Sequence, residues 1–179
     1  MPISFANPIQ ELTYRKVMEY LSTSELFKAT VQPVEDRPKF ELNYGSTRVS
    51  VSVLSWEVNP WDEPEVAIVR ACSCVTVGSR IDAELTEYLL RQNLRMRFGA
   101  FQLGEEDQIF FSHNVLGGGS MDLVELQTCI LSVVTIADIY DDMITEKFGG
   151  QRARDVSLTS LKSKPESLLS ESDAPIVPQ

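Results

Sequence analysis

Leu89 to Gly150, LLRQNLRMRFGAFQLGEEDQIFFSHNVLGGGSMDLVELQTCILSVVTIADIYDDMITEKFGG, is the stretch whose reading decides the fold. It runs as the end of one helix, a short β-hairpin and one long amphipathic helix. Gly99 to Leu103 and Gln108 to Leu116 form the hairpin around the polar turn Gly104-Glu105-Glu106-Asp107. Its second strand has two apolar faces, Ile109, Phe111 and Val115 against Phe110 and Leu116. Asp122 with Glu125 caps the long helix. Leu123, Leu126, Ile130, Val133, Val134, Ala137, Tyr140, Ile144 and Phe148 then recur at three and four, until Gly149-Gly150 stops it. At the rise of an α-helix this element is about 40 Å long, enough to cross a five-stranded sheet.

Working upstream, Gly78-Ser79 opens a second helix. Ser79 is the expected cap, Asp82 follows three residues on, and Ile81, Leu85, Tyr88 and Leu89 form its stripe; the helix ends near Asn93 to Met96. Before it, Glu65 to Val77 is nearly all apolar or small. Val66, Ile68 and Cys72 share one face, and Ala67, Val69, Ala71, Val75 and Val77 the other. A strand apolar on both faces has both faces covered. One cover is the chain's own helices; the other is its own loops, a second subunit or a client. Arg48 to Trp56 alternates as a strand, Lys39 to Asn43 is a shorter candidate, and Asn59-Pro60-Trp61-Asp62-Glu63-Pro64 is turn chemistry. The first helix starts at the N-cap Asn7, with Pro8 at its first position and Gln10 placed for a capping box. The pattern between 24 and 48 leaves the strand path open. The expected architecture is α+β: an antiparallel sheet of about five strands packed on helices, in the order α-β-β-β-α-β-β-α. Residues 1–150 make one domain. Residues 151–179, rich in Ser, Lys, Glu and Pro, read as a flexible tail, either inert or carrying a docking motif around Leu158 to Leu169.

Composition narrows the class. A chain of 179 residues with 43% hydrophobic content builds a core without disulfide or metal. The net charge of −10 repels nucleic acid and anionic lipid, and suits either solubility alone or retention of a basic or aggregation-prone client. No run reaches the apolar length of a membrane span, and the N-terminus lacks the pattern of an export signal. Three cysteines without framework spacing fit a reducing compartment, so a soluble cytoplasmic protein is expected.

Each candidate site also has a plainer reading. Asp138, Asp141 and Asp142 lie at i, i+3 and i+4, a patch able to hold magnesium or to form an acidic solvent face. Gly117-Gly118-Gly119-Ser120 precedes a helix, where amides bind phosphate, yet no Walker lysine follows. Cys72 and Cys74 point to one face of a strand at the outer limit of disulfide spacing, and Cys129 reads as core. His113 is the only histidine; Ser112 points away from it, and no nucleophile turn exists. Trp56 and Trp61 flank a Pro-containing turn, and tryptophans there anchor partners or lid a core edge.

Leu89-Leu90-Arg91-Gln92-Asn93, Phe98-Gly99-Ala100-Phe101 and Ala137-Asp138-Ile139-Tyr140-Asp141-Asp142, taken with the element order, resemble the YbjN-like family. That family is similar in fold to the type III secretion (Tir) chaperones. The resemblance covers roughly residues 7 to 150; the Trp56 to Pro64 region and the triple glycine are similar to a cyanobacterial branch. It implies an antiparallel sheet on helices, frequent homodimerisation, and binding of extended protein segments or stress-related regulation, with no known catalytic residue; no cofactor is expected. The expectation is therefore a non-enzymatic domain that holds a partner protein by strand addition and apolar pockets, using Trp56, Trp61, Val66, Ile68 and Phe110. The alternative is a small-ligand or metal-responsive protein built on Asp138, Asp141 and Asp142. In a third arrangement the dimer itself covers the apolar faces.

Overall fold

The computed structural model describes residues 3–56 and 66–156; Trp61 and residues 157–179 lie outside the described residues. The chain begins with helix α1 (Pro8–Thr23), and Asn7 Oδ1 accepts the Gln10 amide at 2.8 Å. Gln10 does not close the expected box onto Asn7. Its Oε1 accepts the Ala6 amide at 2.7 Å, and its Nε2 donates to the Val53 carbonyl at 2.8 Å, tying the helix start to the sheet. Four strands follow: β1 (Gln32–Pro33), β2 (Lys39–Tyr44), β3 (Thr47–Ser55) and β4 (Ala67–Val77). Helix α2 (Ala83–Arg95) leads to the hairpin β5 (Ala100–Leu103) and β6 (Ile109–Leu116). Helix α3 (Leu123–Phe148) is followed by β7 (Gln151–Arg152) and a 3-10 turn, Ala153–Asp155.

The fold is α+β, with one antiparallel sheet in the order β1-β2-β3-β4-β6-β5. Strand β7 pairs with β4 at Thr76 and Val77, beyond the point where β3 leaves it. The sheet thus has seven strands among the described residues rather than about five. The two additions, β1 and β7, are each two residues long, too short for any alternation to announce them. The boundary expected at Gly150 falls short of them: residues 151–156 belong to the folded unit.

Period-two alternation sorts the strands into two faces. Phe40, Leu42, Val49, Val51, Val53, Val69, Ala71, Ile109 and Phe111 lie on the inner face and are almost wholly buried. They form one core with Tyr14, Val17 and Leu21 of α1 and with Leu126, Ile130, Val133, Ala137 and Ile144 of α3. Helix α3 lies across β3, β4 and β6, while α1 packs on β3 and β4. Helix α2 stands at the β5 end against α3, where Tyr140 Oη donates to Gln92 Oε1 at 3.1 Å. Leu123, expected in the buried stripe, is largely exposed at the start of α3. By length and composition α3 could cross a membrane, contrary to the expectation that no run is long and apolar enough; here its stripe packs on the sheet.

A register shift between Cys74 and Thr76 breaks the parity of β4 at its end. Val75 and Thr76 are both buried, and Val77 is not the inner residue that strict alternation predicts. Just beyond, Asp82 rather than Ser79 caps α2, accepting the Leu85 amide at 3.0 Å. Ser79 is buried instead. Its hydroxyl donates to the Gly149 carbonyl at 3.1 Å and meets Thr76 Oγ1 at 2.8 Å, joining the end of β4 to the end of α3. Gly150 threads this junction at φ +85°, and a Cβ there would lie 2.7 Å from Ser79 N and from the Val77 carbonyl oxygen. Both are backbone atoms, which cannot swing aside. Gly150→Ala is therefore expected to cost about 1–3 kcal/mol through crowding and left-handed strain, read as a lowered urea midpoint at unchanged slope.

Candidate functional site

Since the inner positions of β4 face the helices, Ile68, Arg70, Cys72 and Cys74 face away from them. The register aligns these residues into rows across the sheet. One row is Leu54, Ile68 and Leu116; the next is Lys39, Ser52, Arg70 and Asn114. A third is Glu41, Ser50, Cys72, Ser112 and Ala100, and a fourth joins Cys74 to Phe110 and Gln102. The Asn43–Arg48 pair continues the fourth row at the β2–β3 end. Leu54, Ile68, Phe110 and Leu116 take no part in the core, so this outer face carries apolar side chains that the described helices do not use.

Of the residues expected to meet a partner, three converge. The Trp56 amide donates to the Val66 carbonyl at 2.8 Å, extending the β3–β4 ladder, and both residues share the parity of Leu54 and Ile68. Trp56, Val66 and Ile68 therefore stand at one end of the outer face. Phe110 is on the same face but three rows away, about 20 Å along the strands. Trp61 lies in the chain between β3 and β4, outside the described residues. Leu54 and Leu116 also belong to the group; the signal for them in the sequence is their parity with Trp56 and Phe110.

The sheet edges are less available than the face. At the β5 edge the Phe101 amide donates to Asn93 Oδ1 at 2.7 Å, and Asn93 Nδ2 donates to the Phe101 carbonyl at 3.2 Å. One amide side chain from α2 thus occupies the outward donor and acceptor that an added strand would need. At the other edge, Thr30 Oγ1 donates to the Asn43 carbonyl at 2.6 Å and the Val34 amide to the Lys39 carbonyl at 2.9 Å. Strand β1 fills the gap between them, and its Pro33 has no N–H to offer.

The three aspartates are not an open carboxylate cluster. Arg154 reaches Asp138 Oδ1 at 2.9 Å, Asp141 Oδ2 at 3.2 Å and Ser46 Oγ at 3.1 Å. Arg152 meets Asp142 Oδ1 and Asp155 Oδ2, each at 2.6 Å. The two guanidinium groups sit where a cation would sit, and among the described residues no group of carboxylates, thiols and imidazole is gathered to hold a metal. Nor is Asp141 on a solvent face: it is 4% exposed, and its Oδ1 has no hydrogen-bond partner. Burial raises the Asp141 pKa, and Arg154 opposes that rise.

The remaining candidates are structural in this fold. The Gly118 amide donates to Thr13 Oγ1 at 2.8 Å, the Gly117 amide to the Ala67 carbonyl at 2.9 Å, and Lys16 Nζ to the Gly119 carbonyl at 2.5 Å. A Cβ at Gly117 would lie 2.6 Å from Thr13 Cγ2. The glycines let this connection pass against α1, and two amides that might have met a phosphate are spent on the protein. Burial holds the thiols protonated, with pKa pushed up to about 11 at Cys72 and about 12 at Cys74 and Cys129. His113 lies beneath α3 with Nδ1 2.9 Å from Ser132 Oγ, and Phe98 stacks on its ring. The Ser132 hydroxyl donates to the Cys129 carbonyl at 2.8 Å, so it accepts from His113 and is not activated by it.

The Asp141–Arg154 pair has a defined pH signature. A carboxyl whose folded pKa is raised favours the folded state when protonated, and that advantage is lost as pH climbs through the folded value. Without Arg154 the charged form of Asp141 is left uncompensated. Arg154→Ala should cost about 1–3 kcal/mol at pH 7 and less near pH 4. Adding Asp141→Asn should recover most of the neutral-pH loss. Urea melts of the three chains at both pH values check this.

No curated protein matches the chain. Residues 16–156 match the family TY-Chap1, described as T3SS (YopN, CesT) and YbjN peptide-binding chaperone 1. The matched span runs from within α1 through the 3-10 turn after β7, and so takes in the whole sheet, both of its capped edges and the Arg154 clasp. The chain belongs to this family of peptide-binding chaperones.

Proposed function

We propose that the chain holds an extended segment of another protein on the outer face of its sheet, by binding and without catalysis. The observation that carries this reading is the Leu54–Ile68–Leu116 row, three aliphatic side chains from three neighbouring strands on a face outside the core. Trp56 and Val66 border that row, and the connection bearing Trp61 leaves and returns beside it. A segment lying along the strands for about six residues reaches from this end to Phe110. Covering apolar surface is worth about 25 cal/mol per Å² before the cost of ordering the segment. Affinity from strand addition is secondary, because Asn93 and Thr30 occupy outward groups at the two edges. Three free, protonated thiols suit the cytoplasm.

We further infer that the working unit is a homodimer formed through α2. Leu90 and Leu94 are 63% and 87% exposed on the side of α2 opposite its buried Leu85 and Leu89. Along the helix the acids Glu84 and Glu87 come first and the bases Arg91 and Arg95 follow. Antiparallel pairing of two copies about a twofold axis sets acids against bases while burying the leucines.

Binding of fluorescent peptides from an overlapping library, followed by anisotropy, tests the first reading. Ile68→Asp and Leu54→Asp are expected to weaken peptide binding at least tenfold while leaving the sedimentation coefficient unchanged. Leu94→Asp is expected to halve the mass in sedimentation equilibrium and to leave binding at the outer face intact. If Ile68→Asp dissociated the dimer instead, the outer face would be the subunit interface and the peptide reading would fall.

A further inference from the structure

The outer face departs in charge from the rest of the molecule. The chain as a whole carries −10. On this face the described residues supply Lys39, Arg48 and Arg70 against one carboxylate, Glu41. Lys39 Nζ lies 3.1 Å from Glu41, so the carboxylate is already paired with the cation on its own strand. Arg70 is half-buried, with Nε donating to the neutral Asn114 Oδ1 at 3.1 Å, and Arg48 is exposed at the β2–β3 end. The other positions of the rows are Ser, Cys, Asn, Gln, aliphatic or, at Phe110, aromatic, and carry no charge. Lys39 and Arg70 therefore lie in the row next to the aliphatic one, with Arg48 two rows further on, on a protein whose net charge repels anions.

We infer that the segment held on this face is acidic, with carboxylates spaced two residues from aliphatic side chains; this rests on the outer-face reading and specifies its client class. The spacing follows from the rows. Successive rows are about 6.8 Å apart, the distance between alternate side chains of an extended chain. A peptide running along the strands sets an aliphatic side chain on Leu54, Ile68 and Leu116. Its next surface-facing residue then lies over Lys39 and Arg70. A carboxylate there accepts from a guanidinium already oriented by Asn114. A basic residue in that place would meet Arg70 without a counter-charge.

The probes are three labelled peptides in the full-length protein: (Leu-Ser-Asp-Ser) repeated three times, and the same with Asn or with Lys in place of Asp. The Asp peptide is expected to bind about tenfold more tightly than the Asn peptide at low salt, with the gap closing at high salt. In Arg48→Glu/Arg70→Glu the order should reverse, the Lys peptide binding best. Equal or weaker binding of the Asp peptide, or an order untouched by the double substitution, overturns the proposal. If none of the three binds while the overlapping library still yields binders sensitive to Ile68→Asp, the acidic class is wrong and the outer-face reading stands. If neither set binds, the outer-face reading itself fails. Two acidic stretches of the same chain are rival occupants, Glu57 to Glu65 and Glu166 to Asp173. Should the Asp peptide bind only after Asp62, Glu63 and Glu65, or Glu166, Glu171 and Asp173, are changed to their amides, the cations serve the chain's own segment and an external client is excluded.

Discussion

Among the described residues, helices cover one face of this sheet and not the other, and the rest of the molecule follows from that imbalance. Helices α1 and α3 lie against the side carrying Val51, Val69, Ala71 and Phe111, all with no exposure. Because successive side chains of a strand alternate, every strand that gives α3 a valine also presents a residue to the opposite side. On an ordinary two-layer sheet those outward residues are polar. Here Leu54, Ile68 and Leu116 are aliphatic and aligned, and Cys72, Cys74 and Phe110 continue a half-buried surface. Such a surface lowers the free energy of the molecule most when further polypeptide covers it.

A sheet whose second face none of the described helices covers has a second hazard, its edges, and their treatment shapes what kind of binding is available. Unpaired backbone groups on an edge strand recruit any extended chain, with little regard for side chains. Asn93 and Thr30 remove those groups at β5 and β2, and β1 is cut to two residues ending in Pro33. Closing the edges shifts recognition from backbone to side chains. That shift lets charge and row spacing discriminate between segments, since backbone pairing alone reads neither.

Much of this was legible in the sequence, and the failures have physical causes. Helix α3 announced itself because cap, period and stop agree over 26 residues. The two-faced character of β4 and β6 was readable from alternation, which placed Ile68 and Phe110 on outward positions. Trp56 stood out for its place at a turn, and parity says nothing of distance, so Phe110 was grouped with residues three rows away. Strands β1 and β7 left no trace, because two residues pair by context and not by pattern. The aspartate spacing was read correctly as one side of α3. Its meaning was missed, since Arg152 and Arg154 fall in a stretch whose composition resembles a tail. Asn93 gave no signal either: its role depends on Phe101 arriving eight residues later with two backbone groups pointing outward.

The Arg154 clasp bears on the open face although it stands on the other side of the sheet. Strand β7 prolongs the line of β3 along β4, and Arg154 then binds both the acids of α3 and Ser46 in the β2–β3 turn. One side chain thus joins the covering helix to the hairpin that presents Glu41, Ser50 and Ser52 outward. The buried, half-satisfied Asp141 keeps that joint electrostatically specific, because only a cation in this position offsets its desolvation. Rows are in register only while β3 holds its place against β4. A fold that recognises a client by the spacing of its rows therefore needs this corner fixed, and the residues that fix it lie beyond the glycines where the sequence seemed to end its domain.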